Sequence, residues 1–192
     1  MIRKTVLLGM NNPDPNDAFA TQKKTGSGYR LLSFMNEYLR PRKIEIGGYD
    51  FERFFDRMNV LDTAEWDLAA AISRREEILE KVRGRRVIVC GASTILALGL
   101  NPDLLRNHTY SVSIGDYFNW RKHNKTTWCR FPHPSGANRL FNLESYRVAA
   151  GKVLWEEIAN GVGWASHALM PNEAYLVNYY REPKERFSYP PT

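Results

Sequence analysis

Phe131 to Asn142, FPHPSGANRLFN, packs a histidine, two prolines, a serine and a glycine into one short stretch. The prolines on either side of His133 disfavour helix and Gly136 permits positive φ, so the imidazole is expected on a stiff, exposed turn. Ser135 is placed to cap a following helix. Its apolar positions Leu140, Leu143, Tyr146, Ala150, Val153, Leu154 and Ile158 keep a 3.6-residue period and end before Gly161. A stiff loop that ends on a helix N-terminus suits an anionic ligand. Taken singly, His133, Ser135 and Asn138 also read as ordinary turn or cap residues.

A second loop with chemical potential is Gly9 to Phe19, GMNNPDPNDAF. It follows the apolar run Thr5 to Gly9, which reads as a buried parallel strand. In an open α/β sheet, ligands bind beyond the carboxyl ends of the strands, where this loop must lie.

The elements that must carry these loops follow from periodicity and punctuation. Gly26-Ser27-Gly28 introduces a helix over Tyr29 to Leu39 that Pro41 ends. Arg42 to Gly48 reads as a turn or short edge strand, and Tyr49 to Arg57 as a short helix burying Phe51, Phe54 and Phe55. Asp62 to Val82 has an amphipathic pattern with a solvated charged face, capped by Asp62 or Thr63. Arg85 to Gly91 is a second apolar strand and Ala92 to Gly99 a short helix after it, the grammar of a parallel βαβ unit. The glycine spacings of dinucleotide and triphosphate loops are absent. Ser111 to Ile114 reads as a third strand and Trp128 to Phe131 as the fourth, delivering the His133 loop. Between them, Gly115 to Lys125, GDYFNWRKHNK, interleaves aromatic and basic side chains, which suits nucleic-acid backbone contacts or an ordinary hairpin.

The whole chain, 192 residues with 43% hydrophobic, 25% charged and 12% aromatic content, has globular composition and the length of one domain. The formal charge of +6 favours a polyanionic partner. The N-terminal apolar segment is too short for a secretion signal and no apolar run has transmembrane length, so a cytoplasmic, membrane-free monomer is expected. Cys90 and Cys129 are the only cysteines, which argues against a disulfide framework and against a metal or iron–sulfur site. From about residue 183 the tail is expected to be extended and mobile.

HPSGAN resembles the second motif of the uracil-DNA glycosylase superfamily, and Gly9-Met10-Asn11 resembles its first, written GMNPG or GINPG in several branches. The resemblance runs from about Val6 to Ile158. It implies a three-layer α/β/α sandwich around a small, mostly parallel four-stranded sheet. It also implies metal-free, cofactor-free excision of uracil or a related modified pyrimidine from DNA, in the nucleoid if the source is bacterial or phage. Such chemistry needs the base flipped out of the stack. His133 is then the hydrogen-bond donor to the departing pyrimidine, and Asn11 the holder of the attacking water. Met10 and Phe19 line the base, with Phe19 stacking on it and Tyr29 a second candidate for stacking. Asn59 reads the base edge, since an amide offers both donor and acceptor to uracil O4 and N3–H. Ser135, Gly136, Ala137, Asn138 and Arg139 form the DNA-gripping loop. Ala137 stands where family members often carry a wedge; so small a wedge favours single-stranded or mismatched DNA. Asn12 stands where the family has proline.

Other readings stay open at this level. The same fold could process a modified pyrimidine without releasing uracil, as in a phage or mobile element. A basic nucleic-acid-binding domain without chemistry, or a small-molecule α/β enzyme, is also compatible with the chain.

Overall fold

The computed structural model describes residues 4–14, 17–100 and 117–159. It has α/β architecture, built on a five-stranded, mostly parallel sheet. The strands are β1 (Val6–Asn11), β2 (Asp56–Leu61), β3 (Arg86–Cys90), β4 (Trp120–His123) and β5 (Thr126–Phe131), in the spatial order β2-β1-β3-β5-β4. Only β4 runs antiparallel, as the first arm of a hairpin with β5. The helices are α1 (Ser27–Leu39), α2 (Gly48–Phe54), α3 (Leu68–Ser73), α4 (Arg75–Lys81), α5 (Ala92–Ala97) and α6 (Glu144–Ala159).

The central strands are apolar on both faces because helices cover both. Leu7, Ile88, Cys90, Cys129 and Phe131 join one buried cluster with residues of α1, α2 and α6. Val6, Leu8, Val87, Val89 and Trp128 join a second with residues of α3, α4 and α5. This is the period of two expected for strands, with each face buried against its own helix layer. Cys90 and Cys129 are free, and burial pushes both thiols up, so they are protonated core residues.

Several expectations need correction. The sheet has five described strands rather than four, and β2 and β4 are the additions. The helix expected to reach Arg57 stops at Phe54, because Phe55 turns to extended backbone (φ −121°, ψ 149°) and starts β2. The amphipathic stretch after Asp62 is two short helices. Asp67 is the cap, its carboxylate accepting from the Ala69 and Ala70 amides, and Arg74 (φ −89°, ψ 0°) breaks the helix before α4. Neither Asp62 nor Thr63 has the cap role. The helix after the His133 loop also starts later than its apolar period suggests. A 3₁₀ turn over Arg139–Asn142 comes first, capped by Asn138 rather than Ser135, and Leu143 is extended and exposed. The strand expected at Ser111 to Ile114 and the tail from 183 lie outside the described residues.

Two ties fix α6. Arg147 holds Glu37 of α1 through a two-pronged pair at 2.8 and 3.0 Å, beside a Phe34–Phe141 stack at 4.5 Å. Glu157, nearly buried, accepts from Arg86 at 2.8 and 2.7 Å and from the Thr5 hydroxyl at 2.8 Å, so its charge is compensated at the N-terminal end of the sheet. Among the described residues, a cavity lies at the opposite, carboxyl end.

Candidate functional site

The strand order makes β1 and β3 the place where the chain changes direction across the sheet. β1 is followed by β2 on one side, and β3 then goes to the other. Loops leaving neighbouring strands there diverge and leave a crevice. A cavity of about 360 Å³ lies there, within the usual range of about 300–1,000 Å³ for small-ligand clefts. Gly9 to Pro13 from the end of β1, Asn59 from β2 and His133 beyond β5 line it, with Phe19 and the Gly26–Gly28 entry to α1 opposite.

The neutral histidine is held in one tautomer by its own loop. The Ser135 backbone N–H donates to His133 Nδ1 at 3.2 Å, so that nitrogen keeps its lone pair and the proton sits on Nε2. Burial pushes the imidazole pKa below its ordinary 6.5, in the same direction. Gly91, with φ +94° at the end of β3, brings backbone against the ring: a β-carbon there would lie 3.2 Å from His133 Cδ2. The loop is further closed by Asn138, whose side chain donates to the His133 carbonyl at 3.1 Å and accepts from the Leu140 amide at 3.1 Å. Asn138 is therefore a brace within the loop, with both ends of its amide engaged.

Asn11 is oriented by two backbone acceptors. Its Nδ2 donates to the carbonyls of Thr63 (3.1 Å) and Ala64 (2.8 Å), which leaves Oδ1 as an acceptor on a residue that lines the cavity. Asn12 uses a backbone N–H that a proline in its place would lack. It donates to the Leu61 carbonyl at 3.1 Å and extends the β1–β2 ladder. Its side chain accepts from the Asp14 amide at 3.1 Å and donates to the Asp17 carbonyl at 3.2 Å. Asn12 thus closes the loop by hydrogen bonds where a proline ring would have closed it by restricting φ. Replacing Asn12 with proline is expected to cost about 1–2 kcal/mol, measured as a lower urea midpoint with unchanged slope.

Asn59 and Phe19 meet across Gly9. Asn59 pairs with Gly9 in the β1–β2 register and is 8% exposed, yet its amide has no hydrogen-bond partner among the described residues. Phe19 is buried at a strained φ of 55°, and a β-carbon on Gly9 would lie 2.9 Å from its Cζ and closer still to Asn59 Oδ1. The amide lines the cavity, where both its donor and its acceptor can pair with a ligand edge.

The structure therefore gathers Met10, Asn11, Phe19, Asn59 and His133 around one cavity. Ser135, Gly136, Ala137 and Arg139 sit beyond its lining, with Gly136, Ala137 and Arg139 exposed. Tyr29 is not brought to it and lines a separate groove between α1 and the 43–48 segment. Asp17, Lys23 and Ser27 line the cavity without having been singled out from the sequence. The available signal was their place between the first strand and the glycine-marked start of α1. No helix among the described residues is long and apolar enough to cross a membrane. No protein-family model and no characterised protein matches the sequence.

Proposed function

We propose that the protein is a DNA glycosylase that flips uracil or a related modified pyrimidine into the cavity and hydrolyses its bond to deoxyribose. The observation that carries this reading is the Asn59 amide on the cavity wall, without a hydrogen bond to another described residue, beside the Phe19 ring and with Gly9 kept bare between them. A planar ring with alternating donors and acceptors on its edge fits such a slot: the aromatic face accepts any base and the amide selects the edge. On this reading the fold is that of the uracil-DNA glycosylases.

Cleavage makes the sugar cationic and the pyrimidine anionic. The His133 Nε2–H donates to the developing oxyanion of the base, from an imidazole that its loop keeps neutral. Asn11 Oδ1 accepts from a water on the sugar side. As that water's oxygen bonds to the anomeric carbon, the bond to the base nitrogen breaks, its electron pair leaves with the base, and the proton the water sheds passes through solvent to the pyrimidine anion. The positive net charge supports a DNA partner, and the small Ala137 side chain favours single strands or mismatches.

The test is alkali cleavage of labelled oligonucleotides with one uracil, single-stranded or opposite A or G. Wild type is expected to cleave only at uracil, and Asn11→Ala to lose at least about tenfold in rate through misplacement of the water. Salt-sensitive binding without base release would reject uracil as substrate and move the same assay to modified pyrimidines.

A further inference from the structure

We infer that Arg30 forms a phosphate-binding subsite at the rim of the cavity, which holds the DNA backbone next to the flipped nucleotide. Arg30 lies one turn into α1, just past the Gly26–Gly28 segment that lines the cavity. Its Nη1 reaches across to the His133 loop, 3.5 Å from where a β-carbon of Gly136 would stand. The cation thus spans the two walls of the cleft, and the missing side chain at Gly136 leaves the space beside it open.

Arg30 has no countercharge there. Its Nε is buried without a hydrogen bond, and no carboxylate pairs with its guanidinium among the described residues. The Phe34 ring lies 5.7 Å from Cζ, a weak contact of favourable sign. Other partly buried arginines are treated differently: Arg57 meets Glu52, Arg86 meets Glu157 and Arg147 meets Glu37. A partly desolvated guanidinium without an anion is costly, and its fork geometry matches two oxygens of a phosphodiester. A phosphate in that place would be held at the edge of the His133 loop, which fixes the strand while its base enters the cavity.

The choice of DNA as the phosphate's source rests on the glycosylase reading, whereas the anion site itself does not. The test uses the full chain and a labelled single-stranded oligonucleotide with one uracil, titrated at several salt concentrations. Arg30→Gln is expected to bind about tenfold more weakly at low salt. Its salt slope should fall by about 0.7, one phosphate's worth for a single strand, and Arg30→Lys should keep the slope. Methylphosphonate placed at each flanking phosphate in turn should weaken the wild type at one position and leave Arg30→Gln no weaker there.

Unchanged affinity and slope in Arg30→Gln would overturn the subsite, as would equal methylphosphonate losses in both proteins. Should Arg30→Gln fail to fold, the methylphosphonate series on the wild type decides, and no sensitive position would overturn it. An Arg30-dependent slope without base release would sink the glycosylase reading and keep the subsite; base release with affinity and slope indifferent to Arg30 would do the reverse.

Discussion

His133→Ala is expected to slow uracil release by about two to three orders of magnitude, the usual loss when one preorganised oxyanion donor is removed. The expectation depends on the local geometry more than on the residue type. A histidine free to titrate or rotate would spend part of its time with the wrong nitrogen facing the base. Here the Ser135 amide occupies Nδ1, Gly91 packs against the ring, and the Asn138 side chain ties the His133 carbonyl to the start of the 3₁₀ turn. The donor costs no reorganisation when the base departs. Removing it deletes a partly buried ring from a loop rather than from the apolar core, so the melting temperature should move little. Single-turnover base release beside a thermal melt separates the two effects.

The same contacts set a pH dependence. Burial holds the His133 pKa below 6.5, so the folded protein takes up this proton less readily than the unfolded chain. As pH falls through about 6.5, the unfolded state gains a proton the native state lacks, and stability declines. The decline flattens once pH passes the lower native value. Protonation of Nδ1 also sets two donors against each other, imidazolium against the Ser135 amide, and disrupts the loop. Base release should therefore have an acid limb with its midpoint below 6.5. In His133→Ala, that limb and this residue's share of the stability change should both be absent. A limb centred above 6.5 would contradict the burial seen here.

What the sequence disclosed and what it concealed divide along physical lines. β1, β3 and β5 were legible because strands covered on both faces are continuous apolar runs. β2 was concealed at its polar start: Asp56 and Arg57 open it, and the aromatic period of α2 runs up to them. β4, WRKH, is an edge strand whose charges keep that edge from pairing further, so its composition resembles a loop. The two-helix break at Arg74 was hidden because the apolar period continues across it, and the capping choice of Asp67 over Asp62 is decided by local dihedrals that composition does not carry. In the site, residue types were visible and their employment was not. The Asn12 N–H is employed on the Leu61 carbonyl, and Asn138, expected in the DNA-gripping loop, has both ends of its amide engaged within that loop. Arg30 meets Gly136 only through tertiary approach, which no local pattern records.

Gly9→Ala is the second variant with a large expected effect, because one methyl group would enter the slot that the proposed base needs. It would lie 2.9 Å from Phe19 Cζ and nearer to Asn59 Oδ1, so neither side chain can stay where it is. Gly9 is within β1, paired with Asn59 of β2 and next to Leu8, which pairs with Val89 of β3, so the backbone cannot retreat without disturbing the sheet. Phe19, already at φ 55°, has little freedom to yield, which leaves the Asn59 amide as the group that must turn. Overpacking of this kind typically costs about 1–3 kcal/mol, so the variant should fold with a lower urea midpoint. Base release should fall by at least about a hundredfold, because a buried polar reader that is displaced loses both its hydrogen bonds and its discrimination. DNA affinity, carried by the rim and the backbone, should stay within about threefold of wild type, since phosphate contacts dominate it. The combination is diagnostic: a folded protein that binds DNA normally and releases no base places the reading of the pyrimidine at Asn59 and Phe19. Wild-type release from Gly9→Ala would mean that the base does not enter between them, and the cavity would have to be assigned to another ligand.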